Sequence, residues 1–166
     1  RSLITWIETQ EPADIAIAGT SLGGPIAAMV ASMDPRISSV LAVVPMLQMH
    51  ATLAHHMERG GSKGRHLASL MRSDPVRAVS SVINPLAVEP FPTPERRMVV
   101  AALNDRVTSV TAAQQLHNHW GGKVHWYSGS HVGHAISGSI RQATDEFLRA
   151  APPPRFDSEP GLRSLM

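Results

Sequence analysis

The chain has 166 residues, of which 43% are hydrophobic and 17% are charged, and none is cysteine. This length and apolar content suit one globular domain, and the lack of cysteine excludes a disulfide framework, a cysteine nucleophile and a thiolate metal site. The formal net charge of +2 comes without an arginine-rich block, which indicates that nucleic acid is not a partner.

The first part of the sequence predicts a helix followed by a strand–helix–strand unit. Apolar residues within 3–7 have helical spacing. Residues 15–19 form a short, unbroken apolar run, which is typical of a strand buried on both faces of a parallel sheet. Residues 25–31 are mostly good helix formers, and residues 37–45 form a second apolar run. Two strands joined through a helix over this distance predict a parallel βαβ unit.

Residues 46–94 predict a helical insertion between two strands of the sheet. Apolar residues recur three or four positions apart on one helical face, namely Met46, Met49, Leu53 and Met57. Glycines at 60–61 are expected to break this helix, and further helices are expected at 66–71 and from Ser73 onward. A proline-rich connector at 89–94 leads back to the sheet.

The sheet pattern then resumes and completes an α/β fold. Two further strands and two further helices are expected, at 97–103, 110–120, 123–127 and 132–150. The fold class is therefore α/β, with a parallel sheet and flanking helices in one domain at 1–150. Three consecutive prolines stop the last helix, and residues 151–166 are expected to form a disordered tail.

A serine lies at the predicted turn between the first strand and the next helix, in the motif Gly19-Thr20-Ser21-Leu22-Gly23. On such a turn the serine Oγ projects above the sheet edge, and the residues two before and two after it must be small because the turn crowds them. The Leu22 N–H lies where a donor to an oxyanion is needed. The alternative is a glycine-rich turn that binds a nucleotide phosphate, but the Lys-Ser/Thr pair of such loops is missing.

A serine nucleophile needs a base, and the base needs an acid that orients it. Asp105 directly follows the third predicted strand, and His131 follows the fourth. Because the carboxyl ends of parallel strands meet at one edge of the sheet, we expect Ser21, Asp105 and His131 to lie together.

Other acids and one other histidine compete for these positions. Asp14 precedes its strand and therefore lies at the wrong edge of the sheet. Asp34 and Asp74 are expected to be turn or cap residues, and Asp145 lies within the last predicted helix. His134 also follows the fourth strand, but it would lie one turn into a helix, where a capping or packing role is more common.

With these residues in place, the sequence resembles the α/β-hydrolase superfamily. The resemblance rests on the motif around Ser21 and on the Asp105 and His131 positions, and it spans about residues 3–150. Within the superfamily the chain is most similar to a poorly characterised branch of α/β-hydrolase-domain proteins. That likeness is carried by the run from Trp126 to Val132 and by Arg141-Gln142-Ala143, with Ser130 where glycine is common.

The resemblance implies a serine hydrolase that acts on carboxylic ester-like bonds without a cofactor or a metal. Ser21 would be the nucleophile, His131 the base, Asp105 the orienting acid, and the Leu22 N–H an oxyanion-hole donor. The insertion at 46–94 would be a substrate lid, and we expect Thr20, Met46 and Met49 to contact a small-molecule ester or acyl substrate.

The insertion also contains four histidines, namely His50, His55, His56 and His66. A metal site requires ligands that converge on one point, usually with a carboxylate among them. His55 and His56 are adjacent and face different ways on a helix. We therefore expect lid or surface histidines and no metal site.

Compared with members of the superfamily, the chain is short, because those proteins have several strands before the nucleophile strand. We expect the four strands here to be the C-terminal half of that sheet, in a fragment of a longer protein. An unpaired strand edge at 15–19 would then favour self-association. The alternative function is a non-catalytic α/β-hydrolase-like module that binds a ligand or a protein. No transmembrane segment is expected, and we favour the cytoplasm as the location.

Overall fold

The computed structural model describes residues 2–10 and 14–150 and contains one sheet of four parallel strands. The strands are β1 (Ile15–Thr20), β2 (Ile37–Val43), β3 (Arg97–Ala102) and β4 (Lys123–Tyr127), and they lie side by side in chain order. This arrangement confirms the α/β fold class and the positions of all four predicted strands.

Seven α-helices lie in the described part of the chain. They are α1 (Ser2–Gln10), α2 (Gly23–Met33), α3 (Met49–Met57), α4 (Gly61–Met71), α5 (Asp74–Ser81), α6 (Val110–Trp120) and α7 (Gly138–Arg149). Short 3₁₀ helices are Pro85–Ala87, Pro94–Arg96 and Gly133–Ala135. No helix of the described residues is long and apolar enough to cross a membrane.

The sheet carries a hydrophobic core on each of its faces. On one face, side chains of β2 and β3 such as Val40 and Val99 pack with residues of α1, α2 and α6, among them the fully buried Trp120. On the other face, Leu41 and Val100 belong to a cluster that includes Phe147 of α7. Burial on both faces explains why β2 and β3 are continuous apolar runs.

The expectation that the first strand is buried on both faces is wrong for this structure. β1 pairs only with β2 among the described strands, and Ala16, Ala18 and Thr20 are exposed while Ile15 is buried. The core cluster that contains Phe147 includes no residue of β1, so this face of the strand is open, and the apolar run predicted the strand correctly but not its environment.

The insertion contains α3, α4 and α5 between β2 and β3. Two predicted boundaries differ, because α3 begins at Met49 rather than at Met46, and α4 begins at Gly61 rather than at His66. The break between these two helices is a turn in which the Gly60 N–H donates to the Met57 carbonyl. The lid role of this insertion stays a prediction.

A buried arginine ties the end of the insertion to the sheet. The Arg97 guanidinium donates to the carbonyl oxygens of Pro90 at 3.0 Å, Pro92 at 2.7 Å and Trp120 at 2.8 Å. Pro90 and Pro92 are buried and lie outside the helices and strands, so their carbonyl oxygens need a donor from elsewhere, and Arg97 supplies it. The proline-rich connector is thereby fixed against the end of α6.

The single long helix predicted at 132–150 is divided in two. A 3₁₀ turn covers Gly133–Ala135, and α7 begins only at Gly138, where the Ser137 side chain accepts a hydrogen bond from the Ile140 N–H. Serine is a strong N-cap and glycine is a weak helix former, so Ser137 starts a new helix here. The predicted tail at 151–166 lies outside the described residues.

Candidate active site

Ser21 lies on a sharp turn between β1 and α2. Its backbone has a φ of 53°, a conformation that few residues other than glycine adopt. The turn brings the first residues of α2 against the end of β1, because a Cβ added to Gly19 would lie 1.9 Å from the Gly23 carbonyl oxygen. Gly19 is therefore required by close approach of two backbone segments, as the sequence analysis expected.

The expectation that Gly23 must also be small is wrong for this structure. A Cβ added to Gly23 would meet no atom within 4 Å, whereas one added to Gly24 would lie 2.9 Å from the Pro45 Cβ. The crowded contacts on the helix side of the turn are therefore made by the Gly23 carbonyl and by Gly24, where α2 passes the end of β2.

The last residue of β2 and the segment that follows it hold the Ser21 backbone from both sides. The Ser21 N–H donates to the Val43 carbonyl at 2.8 Å, and the Met46 N–H donates to the Ser21 carbonyl at 3.0 Å. Between these two residues, Val44 is buried and has a φ of 43°. Positive φ is a genuine outlier for a β-branched residue, and Val44 precedes a proline, so no local sequence signal pointed to this bend.

His131 joins Ser21 to Asp105 by two hydrogen bonds. Its Nδ1–H donates to Asp105 Oδ2 at 2.8 Å, because a carboxylate can only accept here. Its Nε2 is then free to accept from the Ser21 hydroxyl, which lies 3.0 Å away. The three side chains predicted from separate strand ends are therefore in contact in one chain of hydrogen bonds.

Asp105 is held in place by its own loop. Its Oδ1 accepts from the backbone N–H groups of Val107 at 2.8 Å and Thr108 at 2.9 Å, and its Oδ2 accepts from the Thr108 hydroxyl at 2.8 Å. Burial by itself would raise the pKa of Asp105, but the hydrogen bonds from His131, Thr108 and Val107 outweigh it and hold the pKa below its ordinary value. Asp105 is therefore an ionised, fixed acceptor for the His131 Nδ1–H.

The Leu22 N–H follows Ser21 at the start of α2. Within the described part of the chain this N–H donates no hydrogen bond, whereas the neighbouring Ser21 and Gly24 N–H groups are both used. A free backbone donor beside the serine, at a helix N-terminus, can accept a developing negative charge. Its place in an oxyanion hole stays a prediction.

The competing residues make other contacts. The His134 Nδ1–H donates to the His131 carbonyl at 2.8 Å, so His134 braces the loop that carries His131. Asp34 caps α2 and pairs with Arg36 at 2.6 Å, and Asp74 pairs with Arg77 in the first turn of α5.

A cavity of about 400 Å³ lies between α3 and the loop after β3. Its lining includes Met46, His55, Asp105 and Arg106. Met46 is therefore beside the site through both this cavity and its hydrogen bond to the Ser21 carbonyl.

The other two predicted substrate contacts lie elsewhere. Met49 lines a separate groove together with Arg77 and Ile83, near the end of α5. Thr20 is exposed at the end of β1, directly before Ser21. Substrate contacts of all three predicted residues, Thr20, Met46 and Met49, stay predictions.

The histidines of the insertion do not converge. Among residues 2–10 and 14–150, no group of three His, Asp or Glu side chains has the geometry to hold a metal ion. His56 contacts the Val107 carbonyl through Nε2 at 3.2 Å, which links α3 to the loop that carries Asp105.

Comparison with known proteins supports the assignment of the fold. The model of the family "Alpha/beta hydrolase domain containing 18" matches residues 1–62. Two curated Mycobacterium tuberculosis proteins, "Uncharacterized protein MT2702" of strain CDC 1551 / Oshkosh and "Uncharacterized protein Rv2627c" of strain H37Rv, are each 30% identical over 155 residues. That match covers 91% of this chain but 35% of each relative, so the chain spans about a third of their length.

Several solved structures share the fold at low sequence identity. The Pyrococcus furiosus esterase Pf2001 superposes with a TM-score of 0.64 at 18% identity, over 87% of this chain and 57% of the esterase. The α/β hydrolase GrgF from Penicillium sp. sh18 superposes with a TM-score of 0.60 at 18% identity, over 89% of this chain and 68% of that chain. The chain therefore has the fold of the α/β hydrolases, and its first 62 residues are similar to a family of α/β-hydrolase-domain proteins.

Proposed function

We propose that this chain carries the catalytic triad of a serine hydrolase that acts on carboxylic ester-like bonds. The observation that carries the proposal is the connected path from the Ser21 hydroxyl through His131 to Asp105, with heavy-atom distances of 3.0 Å and 2.8 Å. A nucleophile, a base within hydrogen-bond reach and an acid that orients the base are the parts that acyl transfer requires.

The chemistry follows from the direction of the hydrogen bonds. The Ser21 Oγ attacks the carbonyl carbon of the ester, while its proton passes to the His131 Nε2. The resulting imidazolium is stabilised by Asp105, which stays ionised because its pKa is lowered. His131 then protonates the leaving alcohol as the tetrahedral intermediate breaks down to an acyl-serine.

A water molecule completes the cycle. It gives a proton to the His131 Nε2 as its oxygen attacks the acyl carbon, and the proton returns to the Ser21 Oγ as the carboxylic acid leaves. The negative charge on the carbonyl oxygen in both steps is stabilised by the free Leu22 N–H at the start of α2.

Two observations support a small ester as the substrate. The cavity beside Asp105 and Met46 has a volume of about 400 Å³, which suits part of a small molecule. The P. furiosus neighbour is an esterase by name, which is consistent with an ester substrate.

A fluorophosphonate probe tests this function. Such probes phosphonylate a serine only when a neighbouring base activates it, so we expect labelling of the wild type and of Ser69→Ala, a control on the exposed side of α4. Ser21→Ala should abolish labelling while leaving the circular dichroism spectrum unchanged. A folded protein that is not labelled would overturn the proposal and favour the non-catalytic binding module.

A further inference from the structure

Tyr127, the one tyrosine of the chain, is the last residue of β4 and leads directly into the segment that carries His131. Residues 128–132, called the histidine loop below, lie between β4 and the 3₁₀ helix Gly133–Ala135. The Tyr127 side chain is buried in the core cluster that contains Phe147 of α7. The core therefore fixes Tyr127, whereas the histidine loop has no helix or strand of its own.

The Tyr127 hydroxyl contacts the backbone of the histidine loop. Its O–H donates to the Ser130 carbonyl at 2.8 Å, in the peptide unit that leads into the triad histidine. The same carbonyl accepts from the Gly133 N–H at 2.9 Å, so both of its lone pairs are used. Burial and the nearby Asp105 charge raise the pKa of Tyr127 above its ordinary value, so the hydroxyl keeps its proton and remains a donor.

The Tyr127 ring sets how closely the histidine loop approaches the end of β4. A Cβ added to Gly129 would lie 2.4 Å from the ring Cε2 and 2.6 Å from the ring Cδ2. The backbone at Gly129 therefore lies against the ring at a distance that excludes a side chain. Because the ring is buried in the core, it has little room to move aside for one.

Backbone hydrogen bonds tie the start of the histidine loop to the segment that carries Asp105. The Leu103 N–H donates to the Tyr127 carbonyl at 2.9 Å, and the Asn104 N–H donates to the Gly129 carbonyl at 3.1 Å. These bonds fix the first residues of the loop relative to Asp105. The Tyr127 hydroxyl adds an anchor further along the loop, directly before the triad histidine.

We propose that Tyr127 is a positioning residue that acts through His131, because its hydroxyl and ring hold the histidine loop so that the His131 Nε2 stays within reach of the Ser21 Oγ. These two atoms are 3.0 Å apart. Proton transfer requires such a distance, and a displacement of about 1 Å can lower a rate by about a hundredfold. The inference rests on the proposed function, since it concerns the same proton transfer.

A purely structural role is the alternative for a buried tyrosine, because a buried hydroxyl needs an acceptor. Two features of the contact favour the positioning role. The acceptor is the carbonyl directly before His131. That carbonyl already has a donor in the Gly133 N–H, so the Tyr127 hydroxyl is not needed to satisfy it. What the hydroxyl adds is a second constraint on the loop.

Tyr127→Phe removes the hydroxyl and keeps the ring. With p-nitrophenyl butyrate as substrate, we expect kcat to fall by about tenfold or more while KM changes by less than about twofold, because the lost interaction serves the transition state. Thr144→Val is the matched control. Its hydroxyl also donates to a backbone carbonyl, that of Ile140 at 2.9 Å, but within α7, so both constants should stay at the wild-type values.

Amide hydrogen exchange tests the same inference without turnover. The Gly133 N–H donates to the Ser130 carbonyl, so its exchange rate reports opening of the histidine loop. Exchange should be about tenfold faster in Tyr127→Phe, since the loss of one hydrogen bond shifts an opening equilibrium by about that factor. It should be unchanged in Thr144→Val. If the wild type did not hydrolyse the ester, the proposed function would fail, and this measurement would still decide whether Tyr127 holds the loop.

Gly129→Ala is a second variant, which keeps the hydroxyl and forces the loop away from the ring. We expect kcat to fall by about a hundredfold, because the whole loop is displaced. Gly138→Ala is its matched control and should retain activity, since a Cβ added there would meet no atom within 4 Å.

The inference would be overturned by a wild-type kcat in Tyr127→Phe, by a rise in KM at unchanged kcat, or by equal losses in Tyr127→Phe and Thr144→Val. An unchanged Gly133 exchange rate in Tyr127→Phe would overturn it as well. Circular dichroism of each variant shows that the fold is retained.

Discussion

Ser21, Asp105 and His131 follow β1, β3 and β4, and the contact among them depends on those strands being parallel. Their positions could be predicted from the sequence because each residue type comes directly after an apolar run. The positive φ of Val44 could not be predicted, because local propensity opposes it. Hydrogen bonds formed in the folded chain hold that bend: the Val44 N–H donates to the Val100 carbonyl at 2.8 Å, and Val43 and Met46 are hydrogen-bonded to Ser21.

Replacing Asp105 with asparagine should lower kcat/KM for a p-nitrophenyl ester by about three to four orders of magnitude. The amide presents a donor to His131, which then turns its lone pair toward residue 105 and its N–H toward Ser21. Asp145→Asn, at an exposed position of α7, is the control and should retain full activity. A drop of less than tenfold in Asp105→Asn would contradict the role given to this carboxylate.

Asp105 should also make stability depend on acid pH. Its pKa is lower in the folded protein than in the unfolded chain, so the unfolded chain takes up the proton first as the pH falls. Its stabilising contribution is therefore complete above the unfolded value of about 3.9 and is lost as the pH falls through the folded pKa.

Urea midpoints of the wild type and Asp105→Asn between neutral and acid pH check this expectation. The difference between the two proteins should shrink as the pH is lowered. A difference that is constant across the acid range would contradict the depressed pKa.

At the scale of elements, the β1–α2 turn could be recognised from its glycines, but their separate roles could not. Gly19 faces the Gly23 carbonyl at a distance that excludes a side chain, while Gly23 faces open space. A motif of spaced glycines does not reveal which glycine the packing requires, since that depends on where α2 lies against β1 and β2. The apolar pattern likewise predicted one helix at 132–150, but it did not show that the Ser137 cap starts a separate helix there.

Gly19→Ala and Gly23→Ala form a matched pair that tests the turn. Gly19→Ala should destabilise the fold by about 3 kcal/mol or more, because the added methyl group cannot avoid a backbone oxygen. Gly23→Ala should change stability by less than about 1 kcal/mol. Urea denaturation measures the free energy of unfolding of both variants. Equal effects of the two substitutions would contradict the close backbone approach at Gly19.

At the scale of the whole molecule, the four strands lie side by side in chain order, and the alternation of apolar runs with helical segments made the α/β fold class predictable. The link between the insertion and the sheet was not predictable, because it depends on one buried arginine that reaches three distant carbonyls. The sequence shows Arg97 only as the first residue of an apolar strand, and nothing local indicates that its guanidinium points back to Pro90, Pro92 and Trp120.

Arg97→Ala should destabilise the molecule by about 3 kcal/mol or more, since it leaves buried carbonyl oxygens without donors. Arg77→Ala is the control, because its ion pair with Asp74 is exposed, and it should change stability by less than about 0.5 kcal/mol. Thermal unfolding followed by circular dichroism compares the two. Similar midpoints for both variants would contradict the structural role of Arg97.

The central claim is that His131 activates Ser21, and peptide mass mapping after fluorophosphonate treatment tests it most directly. The account predicts a single adduct on the peptide that contains Ser21, formed in the wild type and in His134→Ala but not in His131→Ala. An adduct on another serine, or equal labelling of Ser21 in His131→Ala, would contradict it.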